Sequence, residues 1–152
     1  MRIWRICRKP HAGDPLSGRG GLFTSGRWHT KGQRIIYTSR SLALAALEIL
    51  VHVDRDMLPA DLLQLEMNIP DKVKVLEIGI KELPKNWQSY PAPAVLQRLG
   101  DDWLASESTA VLEVPSAVIP EENNLLLNPR HADASNIRVL STKDFAYDSR
   151  LT

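Results

Sequence analysis

The clearest pattern in the chain is an apolar run from Leu42 to Val51 interrupted only by Glu48. Ser41 stands just before it and can accept a hydrogen bond from a free first-turn amide, so a helix is predicted from Ser41 to about Val53. With apolar residues on nearly every face, that helix is expected to be buried on most sides. Elsewhere the pattern shifts to short runs of β-branched, aliphatic and aromatic residues. Met1–Cys7 and 34–39 (Arg-Ile-Ile-Tyr-Thr-Ser) predict two strands. Leu62–Ile69, Val73–Ile78, Ala110–Val114 (ended by Pro115), Asn124–Leu127 and Ile137–Leu140 predict five more. Pro93–Ser106 carries Val95, Leu96, Leu99, Trp103 and Leu104 at helical spacing and predicts a second helix. This order predicts an α+β chain, one domain over 1–152, with mainly antiparallel sheets and flanking helices.

Between the first two strands lie Pro10, Gly13, Pro15, Gly18, Gly20, Gly21, Gly26 and Gly32, which predict a long loop. A connection of that length inside a compact domain is usually functional. No fixed-period repeat is present, so solenoids and propellers are excluded.

Composition narrows the class. A chain of 152 residues suits one core, and 43% hydrophobic with 24% charged residues excludes a disordered tail or a fibrous repeat. The longest unbroken apolar run, Leu42–Leu47, is far short of the ~20 residues of a membrane helix. Met1–Cys7 lacks the apolar core of a signal peptide, so a cytoplasmic location without membrane contact is expected. The single Cys7 excludes an internal disulfide framework and a multi-cysteine zinc site.

Charge changes the picture more. Residues 1–40 hold seven Arg and two Lys against one acid, Asp14, a local charge of +8, whereas residues 41–152 carry −7. An Arg-rich segment against an acidic remainder makes a face that attracts anions, and Arg forks suit phosphate or carboxylate. Glu48 is the complementary oddity. A carboxylate inside an apolar helix needs a cation, hydrogen-bond donors or a wet cleft. Helical spacing groups it with Leu44, Ala45, Val51 and His52, and the small Ala45 leaves room beside it, so Glu48 is expected to line a pocket. Alternatively it takes the helix's one wet stripe, or forms a structural ion pair with an N-terminal Arg.

If strand 34–39 feeds directly into the helix, Tyr37 and Ser39 lie near the helix start and share a cleft with Glu48. Arg27, in Gly26-Arg27-Trp28-His29, would supply an anion fork and Tyr37 an aromatic surface. Trp28 and Tyr37 could equally be ordinary core aromatics. Ser116 has no Gly-x-Ser-x-Gly elbow around it and is not expected to be a nucleophile. Glu48 and His52 at i, i+4 spacing could chelate a metal, with His11, His29 and His131 available, but two ligands do not make a site and no metal is expected.

Taken together, Trp4-Arg5-Ile6, Gly26-Arg27-Trp28, Tyr37-x-Ser39, Leu47-Glu48-Ile49-Leu50-Val51-His52, Val114-Pro115-Ser116-Ala117 and Asn128-Pro129-x-His131 resemble, in order and spacing, the RES-domain toxins of bacterial toxin–antitoxin pairs. The chain departs from that pattern at His29, where many members carry Asn, and at Asn124, where many carry an aromatic residue. The resemblance implies an ADP-ribosyltransferase-like fold, an activity that consumes NAD, no metal, and an Xre-type antitoxin that covers the active site and carries any DNA contact. It also implies Arg27, Tyr37 and Glu48 as the catalytic trio, with Arg5, Ser39 and Ser116 as further residues of the NAD pocket.

The chemistry of the residues agrees with that implication. Nicotinamide leaves NAD as a neutral molecule, so the barrier lies in forming an oxocarbenium-like ribose, and a carboxylate suits that demand. Water, inorganic phosphate or a protein side chain could each be the acceptor. Two other classes compete: an RNA-binding protein that uses the basic segment and stacks bases on Trp28 and Tyr37, and a plain interaction domain whose cationic face docks an acidic partner.

Overall fold

Side-chain alternation along the strands decides which layer each residue joins. The structure, a computed structural model, describes residues 1–151. Seven strands form β1 (Arg2–Arg8), β2 (Ile36–Ser39), β3 (Leu62–Asn68), β4 (Val75–Glu77), β5 (Val111–Pro115), β6 (Asn123–Leu127) and β7 (Arg138–Phe145). They make one sheet in the order β4-β5-β6-β2-β1-β3-β7. Every neighbouring pair is antiparallel except β4 and β5. The expectation of mainly antiparallel pairing with flanking helices therefore holds, realised as a single sheet.

Val111, Leu125 and Leu127 pack on one face with Ile3, Ile36 and Met67, while the alternating Leu112, Val114 and Leu126 pack on the other. On that second face lies helix α2 (Ala94–Ser106), which buries Leu96, Gly100, Trp103 and Leu104. Helix α1 (Leu42–Leu50) is capped by Ser41, whose hydroxyl accepts from the Leu44 amide at 3.1 Å. It covers Ile6 and Leu62 through Ala45.

Four expectations need correction. Helix α1 stops at Leu50 instead of running to Val53, and it is not buried on most sides. Only Leu44 and Ala45 are buried, while Ala43, Leu47 and Val51 are exposed. The helix lies on one side of the sheet, so its outward half meets solvent whatever its composition. The strand expected at Val73–Ile78 shrinks to Val75–Glu77, and the last strand extends past Leu140 to Phe145. As one of the sheet's two edge strands, β7 tolerates Lys143 and Asp144 because little covers it. No described helix is long and apolar enough to cross a membrane.

Candidate active site

A gap in the sheet creates the site. Strands β1 and β2 share one register pair, Trp4 with Ser39. Had the ladder continued, Arg5 would face Thr38 and Ile6 would face Tyr37. Instead, residues of both parities, Trp4, Arg5 and Ile6 with Tyr37, Thr38 and Ser39, line one cavity of about 1020 Å³. A continuous ladder would send alternate residues to opposite faces. Ala45, Glu48 and Ile49 from α1, with His52 just after it, complete one wall, and the 24–29 segment and Tyr90 another. The direct passage from β2 into α1 thus brings Tyr37, Ser39 and Glu48 to one cleft, together with Arg5 and Arg27.

Glu48 is half-buried and held through one oxygen. Its Oε1 accepts from Ser116 Oγ at 2.7 Å and from Asn124 Nδ2 at 2.6 Å. Its Oε2 makes no hydrogen bond to a described residue and is not an orphaned buried atom, so that oxygen is open to the cavity. No described arginine pairs with Glu48; the structural ion pair considered above does not form. Ser116 is fully buried behind the carboxylate and is not part of the cavity wall. Its Oγ accepts from the Val118 and Ile119 amides, both at 3.1 Å, which aims its hydrogen at Glu48. Ser39 is buried too, and its Oγ donates to Asn124 Oδ1 at 2.7 Å. Asn124 was not singled out as a site residue from the sequence, although its pairing with Ser39 across β2 and β6 makes it their bridge.

Arg27 is presented by a turn that α2 fastens. Gln97 Nε2 donates to Gly26 O at 3.0 Å, and Asp101 accepts from the Thr30 amide and hydroxyl at 3.0 and 2.6 Å. Between them Gly100 brings the helix against Trp28, where an added Cβ would lie 1.7 Å from the Trp28 carbonyl oxygen. Positions 97, 100 and 101 form one helical stripe. Arg27 Nη1 donates to Trp87 O and Ser89 O at 2.7 and 3.1 Å, leaving its other N–H groups without a described acceptor. Burial lowers its pKa, and the Glu48 charge partly opposes that. Arg5 donates through Nη1 to Pro15 O at 2.8 Å, and burial likewise lowers its pKa.

Tyr37 offers its ring to the cavity and has its hydroxyl tied. Tyr37 Oη accepts from the Trp28 amide at 3.2 Å and lies 2.7 Å from His29 Nδ1. His29 Nε2 lies 2.8 Å from Thr24 O, and a carbonyl can only accept, so Nε2 carries the ring hydrogen. The Nδ1 of a neutral His29 therefore accepts from Tyr37. Burial pushes the Tyr37 phenol well above its ordinary range and lowers the His29 pKa, which favours this assignment. A phenol so placed has no proton to exchange with a ligand. Gly26 makes the cluster possible, because a Cβ there would come within 2.7 Å of Tyr37 Oη.

Much of the remaining basic segment is matched by surface ion pairs within the chain. Arg2, Arg8, Lys9 and Arg40 pair with Glu66, Asp61, Asp144 and Glu113 of the acidic remainder. Trp28 is 2% exposed and cannot stack on a base. Both facts weaken the RNA-binding alternative. His52 is exposed beside Tyr90 at the cavity, with a ring separation of 6.4 Å. Among the described residues no group of three or more His, Cys, Asp or Glu could hold a metal ion.

The sequence matches the RES domain family over residues 2–148. It is 40% identical over 153 residues to a protein of Sphingobium sp. (strain YBL2) named "Prs ADP-ribosylating toxin", covering 98% of this chain and 95% of that one. It is 38% identical over 155 residues to "Toxin Res" of Yersinia enterocolitica, covering 99% of each. Among solved structures, the M. tuberculosis MbcT–MbcA toxin–antitoxin complex contains a chain that superposes with a TM-score of 0.78. That match covers 95% of this chain and 83% of the other at 16% identity, a likeness of fold. Since the family match runs almost end to end and the relatives are of matching length, the chain belongs to the RES domain family.

Proposed function

We propose that the chain is the toxin of a toxin–antitoxin pair and an enzyme that cleaves the nicotinamide–ribose bond of NAD. The observation that carries this is Glu48, with one carboxylate oxygen held by Ser116 and Asn124 and the other open to a cavity shared with Arg5, Arg27 and Tyr37. At about 1020 Å³ the cavity has room for a dinucleotide. In the reaction the C1′–N bond breaks, its electron pair goes to the nicotinamide nitrogen, and an acceptor adds to C1′. Glu48 Oε2 accepts a hydrogen bond from a ribose hydroxyl and stabilises the positive charge that develops on the sugar. Arg27 and Arg5 hold the diphosphate with the guanidinium groups that the backbone carbonyls do not consume. Tyr37 packs its ring against nicotinamide, Ser116 holds the carboxylate by its direct hydrogen bond, and Ser39 acts from behind it through Asn124.

With water as acceptor the products are ADP-ribose and nicotinamide; with inorganic phosphate, a phosphorylated ADP-ribose. These two routes deplete NAD and are the favoured reading. A second reading, transfer to a protein side chain, is favoured by the name of the Sphingobium relative. A partner antitoxin of the Xre type fits the family and the toxin–antitoxin complex of the M. tuberculosis neighbour. Incubation of the purified chain with NAD, with and without phosphate and with and without a cell extract, followed by mass spectrometry, tests these readings. Free nicotinamide with ADP-ribose or its phosphate is expected, and intact NAD under every condition refutes the enzyme.

A further inference from the structure

The two donors on Glu48 Oε1 are supported differently. Ser116 is fixed by backbone amides within its own turn. Asn124 is fixed from across the sheet by Ser39, whose buried hydroxyl donates to Oδ1 at 2.7 Å while Nδ2 donates to Glu48 at 2.6 Å. A flipped amide would set Oδ1 against the carboxylate, oxygen against oxygen, so the amide is locked in one orientation. Asn124 also lines the cavity, in a strand whose next three residues, Leu125, Leu126 and Leu127, are buried leucines. An apolar side chain would pack in the strand as well; the amide instead joins two polar groups, the buried Ser39 hydroxyl and the Glu48 carboxylate.

We propose that Asn124 is a positioning residue: the Ser39–Asn124 bridge pins Glu48 Oε1 to the sheet, so that Oε2 is the oxygen presented to the ribose. This rests on the nicotinamide-releasing role of Glu48 given above. Asn124 contributes only through Glu48, and its worth vanishes when the carboxylate is gone.

The test is a double-mutant cycle on the full chain, read as steady-state nicotinamide release from NAD. Asn124→Leu should lower kcat about ten- to a hundredfold, the worth of one hydrogen bond to a charged group, with KM changed less than about threefold. On a Glu48→Gln background the same substitution should cost less than about twofold. Asn124→Asp, which keeps size and shape but turns an oxygen on Oε1, should lose at least as much as Asn124→Leu. Equal losses on both backgrounds, or a folded Asn124→Asp with full kcat, overturn the assignment of Asn124 while leaving the function of Glu48 standing. An unsubstituted chain that releases no nicotinamide overturns both.

Discussion

Tyr37→Phe deletes one oxygen and keeps the ring, and so separates a packing role from a proton-transfer role. The lost oxygen accepts from the Trp28 amide at 3.2 Å and donates to His29 Nδ1 at 2.7 Å. Trp28 is 2% exposed, so its amide has little water to turn to. An unpaired buried donor costs about 1–3 kcal/mol. In a chain of this size each kcal/mol moves Tm by about 2–4 °C, so Tm should fall by about 2–12 °C. The ring still faces the cavity, and KM for NAD should stay within about threefold and kcat within about tenfold. Calorimetry and nicotinamide release on one preparation measure both. Proton transfer by the phenol would contribute about 10²–10⁴ to the rate. A kcat loss of that size with an unchanged Tm would refute the argument that Tyr37 has no proton to spare.

Other perturbations follow from the same contacts. Ser116→Ala removes a donor from Glu48 and orphans the Val118 and Ile119 amides, so kcat should fall about ten- to a hundredfold and stability by about 1–3 kcal/mol in urea unfolding. Gly100→Ala would set a methyl 1.7 Å from the Trp28 carbonyl oxygen. That backbone clash outweighs the ~1 kcal/mol gained in helix propensity, and a loss of about 3 kcal/mol or more is expected by the same assay. Burial holds the His29 imidazole below its ordinary value of 6.5, with the Thr24 carbonyl only partly opposing. The unfolded chain therefore binds the proton more readily, so the His29 contribution is full above about pH 6.5 and lost as pH falls toward the folded value. His29→Asn should flatten that part of the stability profile between pH 5 and 7.

Much of the site was legible because its signals were local. Ser41 before an apolar run gave the cap, and Glu48 inside that run gave the pocket-facing carboxylate. Tyr37 and Ser39 reached the cleft because two residues separate β2 from α1. What was not legible depends on partners distant in sequence. Asn124 looks like the start of an apolar strand until the β2–β6 register sets it opposite Ser39. That Nη1 of Arg27 is spent on Trp87 O and Ser89 O cannot be read from the sequence, since carbonyl directions carry no residue signature. Burial of α1 was overestimated because a helix apolar all round does not say which side lacks a neighbour. The charge asymmetry was legible in amount but not in use: four of the nine cations in residues 1–40 pair with acids of the remainder instead of forming an open basic face.

The central claim is that the open oxygen of Glu48 stabilises a sugar cation. The most direct measurement is single-turnover nicotinamide release from NAD by the unsubstituted chain and by Glu48→Gln, with thermal unfolding run in parallel. A loss of about 10²–10³ in rate at an unchanged Tm is expected. A folded Glu48→Gln chain that releases nicotinamide at the full rate would contradict the account.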